Sequence, residues 1–242
     1  MILNKLTNRL TKIIEFPFLV LRMQLRQNEC KKLKDNILLA RLIYNAPKCY
    51  DRDFEYPWML KNIEIKEGKL LDIGSTIGDM LYDLLPKEIS IYILNINEQK
   101  TSDKIEKVQG DIRATEFEDN TFDCITCIST LEHIGVGGRY GVEDDKEGDL
   151  KAMKEMRRIL KPGGKLLLTV PYGRSDVLPI NRLYNLKKIE NLTKGFQIKN
   201  QIFRKYNKKY GIWLYVSEEE ASRTDWKVER WYSIAMYILE KL

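Results

Sequence analysis

The stretch "KLLDIGSTIGDML", Lys69 to Leu81, decides how this chain folds. Leu70, Leu71 and Ile73 make a short apolar run that Asp72 interrupts and Gly74 closes. Gly78 follows four residues later, and a helical pattern starts behind it. A buried parallel strand that turns into a helix in this way aims the helix's N-terminal N–H groups at a ligand. A dinucleotide-binding turn would read G-x-G-x-x-G, whereas this loop reads Asp72-x-Gly74-Ser75-Thr76-Ile77-Gly78. The spacing disfavours a nicotinamide-dependent oxidoreductase.

Outward from that stretch, strand and helix patterns alternate. Strands are expected at Lys69–Ile73, Ile89–Asn95, Lys107–Gly110, Thr121–Ile128 and Lys165–Val170, with helices at roughly Ile77–Leu85 and Asp149–Leu160. In the second helix Leu150, Met153, Met156 and Leu160 form the buried stripe, and "KPGG", Lys161–Gly164, stops it. Such alternation implies a parallel sheet with helices on both faces, and ligands then bind outside the carboxyl ends of the strands. After Pro171 the pattern changes. "FQIKNQIF" and "WYSIAMYILEK" read as two more strands, with a short helix between them that begins at the capping box Ser217-Glu218-Glu219-Glu220.

At 242 residues the chain can bury a full core, and 43% hydrophobic with 31% charged residues is ordinary for a soluble protein. The apolar run Phe16–Leu21 contains Pro17 and is flanked by Glu15 and Arg22, so it reads as neither a membrane span nor a signal peptide. Four unevenly spaced cysteines give no disulfide framework, and the expected location is cytoplasmic. Cys124 and Cys127 look like a C-x-x-C pair. They lie three apart in an expected strand, so they point to opposite faces and can share no metal. With a single histidine in the chain, no metal site is expected. The net charge of +6 is concentrated in residues 1–41, which carry nine Lys or Arg against Glu15, Glu29 and Asp35. Apolar residues 3, 6, 10, 13, 14, 18, 21 and 25 share one helical face there. Two readings stand: a basic amphipathic helix in peripheral contact with the inner face of an anionic membrane, or a helical arm packed on the main domain.

The ends of the later strands carry the remaining signals. Asn95 closes the second, "GDI" at Gly110–Ile112 the third, "NTFDCITCISTLEHI" runs through the fourth, and "RRILKPGGKLLLTVPYG" supplies the next helix and strand. In this order the set resembles the class I S-adenosylmethionine-dependent methyltransferases over about Gly68 to Gly173. More narrowly, "EYPW", "LEHIGVGGRYG", "EGDLKAM" and "NRLYN" resemble a branch associated with small-molecule and surface-polysaccharide chemistry. The resemblance implies an α/β, Rossmann-like, seven-stranded, mostly parallel sheet with an antiparallel last strand. That domain would occupy residues 56–242, behind a helical extension at 1–55. It also implies S-adenosylmethionine as cofactor. Asp72, Gly74, Ser75, Thr76 and Gly78 would hold its amino-acid end, Asn95 its ribose, Asp111 and Ile112 its adenine, and Ser129 the floor near its methionine portion.

Two residues depart from the family pattern. Thr76 replaces a glycine, and a β-branched residue tolerates positive φ poorly. Asn95 replaces an acidic residue, and exchanging a charge-assisted bond for a neutral one weakens binding roughly tenfold. A catalytically degenerate binding or regulatory relative is therefore the alternative to an active methyltransferase. Methyl transfer is an in-line displacement that needs positioning above all, and a hydroxyl acceptor also needs a base. His133 is the candidate base, with Arg139 and Tyr140 in the glycine-rich acidic loop Gly135–Gly148 as candidate acceptor contacts. The expected acceptor is a small molecule or glycan, lipid-linked if the basic arm meets a membrane. Nucleic acid is ranked low, because the loop after the fourth strand reads "ISTLEH" and the basic "RKYNKKYG" lacks regularly interleaved aromatics.

Overall fold

The computed structural model describes residues 50–74, 82, 84–98, 105–137, 143–174, 177–178, 181–208 and 212–242. The basic arm at 1–41, the loop residues Ser75, Thr76 and Gly78, and Arg139 and Tyr140 lie outside the described residues.

The expected strands form, with small shifts at their ends. They are β1 (Gly68–Ile73), β2 (Ile89–Asn95), β3 (Glu106–Gln109), β4 (Phe122–Ile128) and β5 (Leu160–Tyr172). β1, β2, β3, β4 and β5 pair in parallel in the order β3-β2-β1-β4-β5. The late strands β8 (Phe196–Asn207) and β10 (Ser233–Lys241) join on the β5 side, where β10 runs antiparallel to both neighbours. An eighth strand, β9 (Ile212–Val216), pairs antiparallel with β8 at the edge. The sheet therefore has eight strands, one more than the sequence resemblance implies. A two-stranded hairpin of β6 (Val177–Leu178) and β7 (Asn181–Arg182) stands apart from it.

Each face of the sheet carries its own core, because strand side chains alternate. On one face Leu71, Ile73, Ile125 and Cys127 pack with Ala152, Met153, Met156 and Ile159 of α2 (Gly148–Ile159). On the other, Leu70, Ile93, Cys124 and Ile128 pack with Phe54, Trp58 and Met59 of α1 (Arg52–Asn62). Cys124 and Cys127 thus belong to opposite cores. α1 crosses the expected boundary at residues 55 and 56 and docks through Phe54 edge-on to Trp213 of β9, with ring centroids 5.3 Å apart. Among the described residues, no helix is long and apolar enough to cross a membrane.

"KPGG" plays a different part from the expected one. α2 ends at Ile159, and Leu160 already has extended backbone and pairs with Phe122. The register then shifts before Lys165 meets Cys124. Lys161–Gly164 is therefore a bulge in β5, with Gly163 at φ +73° in the left-handed region that glycine adopts freely. Past Pro171 the chain also forms α3 (Leu186–Leu192), capped by the Asn185 side chain, and then α4 (Glu218–Ser222) and α5 (Trp226–Glu229). Ser217 caps α4 as its sequence suggests, its side chain accepting from the Glu220 N–H at 3.1 Å.

Candidate functional site

Strand order reverses between β1 and β4, and a cavity of about 290 Å³ lies there, outside the carboxyl ends of the parallel strands. Gly74, Asn95, Asp111, Ile112, Ser129 and His133 all line it, together with Ile73, Leu94 and Thr130. Four separate strand ends bring these residues together. At Gly74 the chain has φ +92°, and a Cβ would lie 2.7 Å from the Thr130 methyl and hydroxyl. Only glycine lets the β1 exit pass this close to the β4 exit.

Asn95 is already engaged. Its Nδ2 donates to the Gly74 carbonyl at 3.0 Å, and its Oδ1 accepts from the Asn97 N–H at 3.0 Å. An acidic residue could not donate the first bond, so the amide ties the β2 exit to the β1 exit. Asp111 is clasped by Arg113, whose Nε lies 2.9 Å and Nη2 2.6 Å from Asp111 Oδ2. Burial alone would raise the Asp111 carboxyl, but the Arg113 bonds outweigh it and hold the group below its usual range. Arg113 also reaches Asp145 Oδ2 at 3.1 Å, tying the β3 exit to the loop before α2.

Asp72 does not line the cavity. It points to the α1 face of the sheet and is fully buried, with Oδ1 accepting from Thr126 Oγ1 and Oδ2 from Tyr82 Oη, each at 2.7 Å. Both carboxylate oxygens of Asp72, expected from the sequence at a ligand's amino-acid end, are engaged in the sheet floor. A strand's period of two explains this: Asp72 shares a face with Leu70, not with the Leu71–Ile73 face.

The β4 exit joins the expected Ser129 and His133 to residues that the sequence reading did not single out for the site. Ser129 sits at φ +43°, a strained conformation for a non-glycine residue, and its Oγ donates to Glu55 Oε1 at 2.7 Å. Thr169 Oγ1 of β5 donates to the same oxygen at 2.6 Å, while Glu55 Oε2 pairs with Arg52. Glu55 is fully buried; burial raises its carboxyl, with Arg52, Thr169 and Ser129 opposing. Arg52 itself lines the cavity. Beside it, Leu131–His133 forms a single 3-10 turn. In that turn Glu132 is buried, its Oε2 has no hydrogen-bond partner among the described residues, and burial first, then Glu55, pushes its carboxyl up to about 8. Glu132 Oε1 lies 3.8 Å from His133 Nε2. Sequence spacing could not signal Glu55, which lies 74 residues from Ser129 and 114 from Thr169.

The sequence patches "LEHIGVGG", "EGDLKAM" and "NRLYN" meet one another behind this turn. Buried Arg182 donates to the carbonyls of Ile134, Gly135 and Asp145, the last at 2.6 Å. Tyr184 Oη donates to Asp149 Oδ2 at 3.1 Å. Gly135, at φ +72°, has no room for a Cβ, which would fall 2.5 Å from the Asp145 carbonyl oxygen. The β4-to-α2 loop is therefore clamped at its base. Among the described residues no group of side chains could hold a metal ion.

Comparison with known sequences places the chain. The profile of a family described as "Caenorhabditis protein of unknown function, DUF268" matches residues 87–225. The chain belongs to that family. This DUF268 chain is 36% identical over 138 residues to an uncharacterized protein of Methanocaldococcus jannaschii, covering 56% of this chain and 54% of the relative. It is also 30% identical over 122 residues to the ubiquinone/menaquinone biosynthesis C-methyltransferase UbiE of Klebsiella pneumoniae, covering 50% of this chain and 43% of the relative. The chain thus spans about half the length of the curated relatives it matches. Among solved structures, an S-adenosylmethionine-dependent methyltransferase from Methanosarcina mazei aligns over 81% of this chain and 99% of its own, at 17% identity and a TM-score of 0.51. The DUF268 chain has the class I methyltransferase fold.

Proposed function

We propose that the cavity binds S-adenosylmethionine and that the protein transfers its methyl group to a small-molecule or glycan acceptor. The observation that carries this reading is the convergence of Gly74, Asn95, Asp111, Ile112 and Ser129 on one cavity at the reversal of strand order. The residues suit the cofactor: carboxylate and amide groups stand at the β3 and β2 ends, Ile112, Leu94 and Ile73 give apolar walls, and Gly74 admits a backbone approach that a Cβ would block. Asp111 and Ile112 would take the adenine, Asn95 the ribose, and Gly74 with Ser129 the amino-acid end. Bound there, the cofactor supplies an electrophilic methyl group on a sulfonium.

The chain's own work is to position the acceptor and to accept its proton. The ring of His133 in the cavity wall would accept the proton of an acceptor hydroxyl. Glu132 Oε1 lies 3.8 Å from the same ring, and as its proton is lost toward pH 8 its charge would favour the imidazolium. The basic residues of 1–41 support an acceptor presented at an anionic membrane surface. The UbiE relatives are named as C-methyltransferases of ubiquinone/menaquinone biosynthesis, which supports a small-molecule acceptor for this chain; carbon is the atom named for those relatives. A second reading, a binding protein without turnover, is favoured by one observation: the Asn95 side chain already bonds Gly74 and Asn97.

Release of S-adenosylhomocysteine from S-adenosylmethionine, measured against a panel of free sugars, nucleotide sugars and lipid-linked sugars, separates the two. The enzyme reading expects release stimulated by at least one acceptor and abolished in His133→Ala. Tight cofactor binding with background release across the whole panel contradicts it and favours the binding protein.

A further inference from the structure

The β1–β4 end of the cavity carries a charge that no strand supplies. Arg52, in the first turn of α1, lines the cavity alongside Gly74, Ser129 and Thr130. This end lies across the strand order from Asp111, with β2 and β1 between. The Arg52 side chain is one-third exposed, at 33%. A guanidinium presents five N–H donors around a planar fork. Among the described residues only Nη1 of the Arg52 guanidinium is engaged in a hydrogen bond, with Glu55 Oε2. Glu55 is in turn fixed by Ser129 and Thr169, which fill its other oxygen. Nη1 is therefore held by Glu55, the guanidinium carbon lies 5.9 Å from the centroid of the Tyr56 ring, and the side chain forms part of the cavity wall. Asp72, the acidic group that the glycine loop would place here, points instead into the core on the α1 face of the sheet.

We infer that Arg52 takes the α-carboxylate of the bound S-adenosylmethionine, with Glu55 as the positioning residue that aims it. This rests on the cofactor reading above. A planar guanidinium matches a carboxylate in a two-point hydrogen bond, and such charge-assisted pairs are among the stronger contacts a ligand can make. Glu55 offsets part of the Arg52 charge but engages only Nη1, which leaves further N–H donors of the fork for a ligand carboxylate. Arg52 lies outside the family-matched span of 87–225, as do Ile73 and Gly74 of the same cavity, and it is carried by a helix that precedes the parallel strands.

The test is calorimetric titration with S-adenosylmethionine and with decarboxylated S-adenosylmethionine, which lacks only the carboxylate. The wild type should prefer the first by about 10- to 100-fold, and Arg52→Ala should erase that preference while changing affinity for the second by less than about twofold. Arg52→Ala leaves a buried carboxylate without its partner. The double variant Arg52→Met with Glu55→Gln removes both charges and should show the same loss of preference. A wild type that binds both ligands equally, or variants that weaken both equally, overturns the role of Arg52 and leaves the cofactor reading standing. A wild type that binds neither overturns both.

Discussion

The two ends of the cavity are built on different principles. At the β2–β3 end the contacts are short-range: Asp111 is clasped by Arg113 two residues on, and Asn95 accepts from Asn97. The groups there are half-buried or exposed. At the β4 end Glu55 joins α1, β4 and β5 across 74 and 114 residues and is fully buried, with Glu132 buried beside it. The first end can change its contacts with little effect on the fold. The second cannot, because a buried charge that loses its partner is costly.

Glu55→Ala breaks the comparison most severely. It leaves Arg52, Ser129 and Thr169 without their shared acceptor, and urea unfolding should show a loss of about 3–5 kcal/mol. A loss below about 1 kcal/mol would mean that α1 is only loosely docked. Next comes the floor beneath the cavity. Thr126→Val keeps shape but leaves Asp72 Oδ1 without that 2.7 Å bond, for about 1–3 kcal/mol in the same assay. An unchanged midpoint would argue that Asp72 is solvated.

Glu132 gives the comparison a pH dependence. Its folded carboxyl is raised to about 8, above an unfolded value near 4.5, so the native state holds the proton more tightly. The stability this contributes is present below about pH 4.5 and is lost as pH rises toward 8. Glu132→Gln should remove that decline, seen as a flatter plot of unfolding free energy against pH. Parallel wild-type and variant plots would contradict a buried, proton-holding Glu132. The smallest effect belongs to the other end. Arg113→Ala, which removes a partly exposed pair, should cost under about 1 kcal/mol of stability. A loss of several kcal/mol there would erase the distinction between the two ends.

The same contrast explains what the sequence could show. Strand ends announce themselves locally: an apolar run, then a glycine or a polar residue, as at Gly74, Asn95 and Asp111. Those three do meet in one cavity. The neighbours of Asp72 in sequence do not say which face of β1 it takes, and that depends on Thr126 and Tyr82 arriving from elsewhere. "KPGG" reads as a helix stop, yet pairing of Leu160 with Phe122 starts the strand earlier. β9 reads "IWLYV", a run of strand-forming residues that a reading of only two late strands passed over, and it pairs with β8 while its Trp213 meets Phe54 of α1. Glu55 and Arg182 sit inside the quoted patches "EYPW" and "NRLYN", yet nothing local says what they bind, because Ser129, Thr169 and the carbonyls of Ile134, Gly135 and Asp145 lie tens of residues away.

The central claim is that the ends of β1, β2, β3 and β4 together bind S-adenosylmethionine. Calorimetric titration of the wild type and Asp111→Ala with S-adenosylhomocysteine, with NAD as the control, tests it most directly. The account predicts micromolar binding of S-adenosylhomocysteine, weakened about tenfold in Asp111→Ala, and none for NAD. Binding of NAD, or no binding of S-adenosylhomocysteine by the wild type, would contradict it.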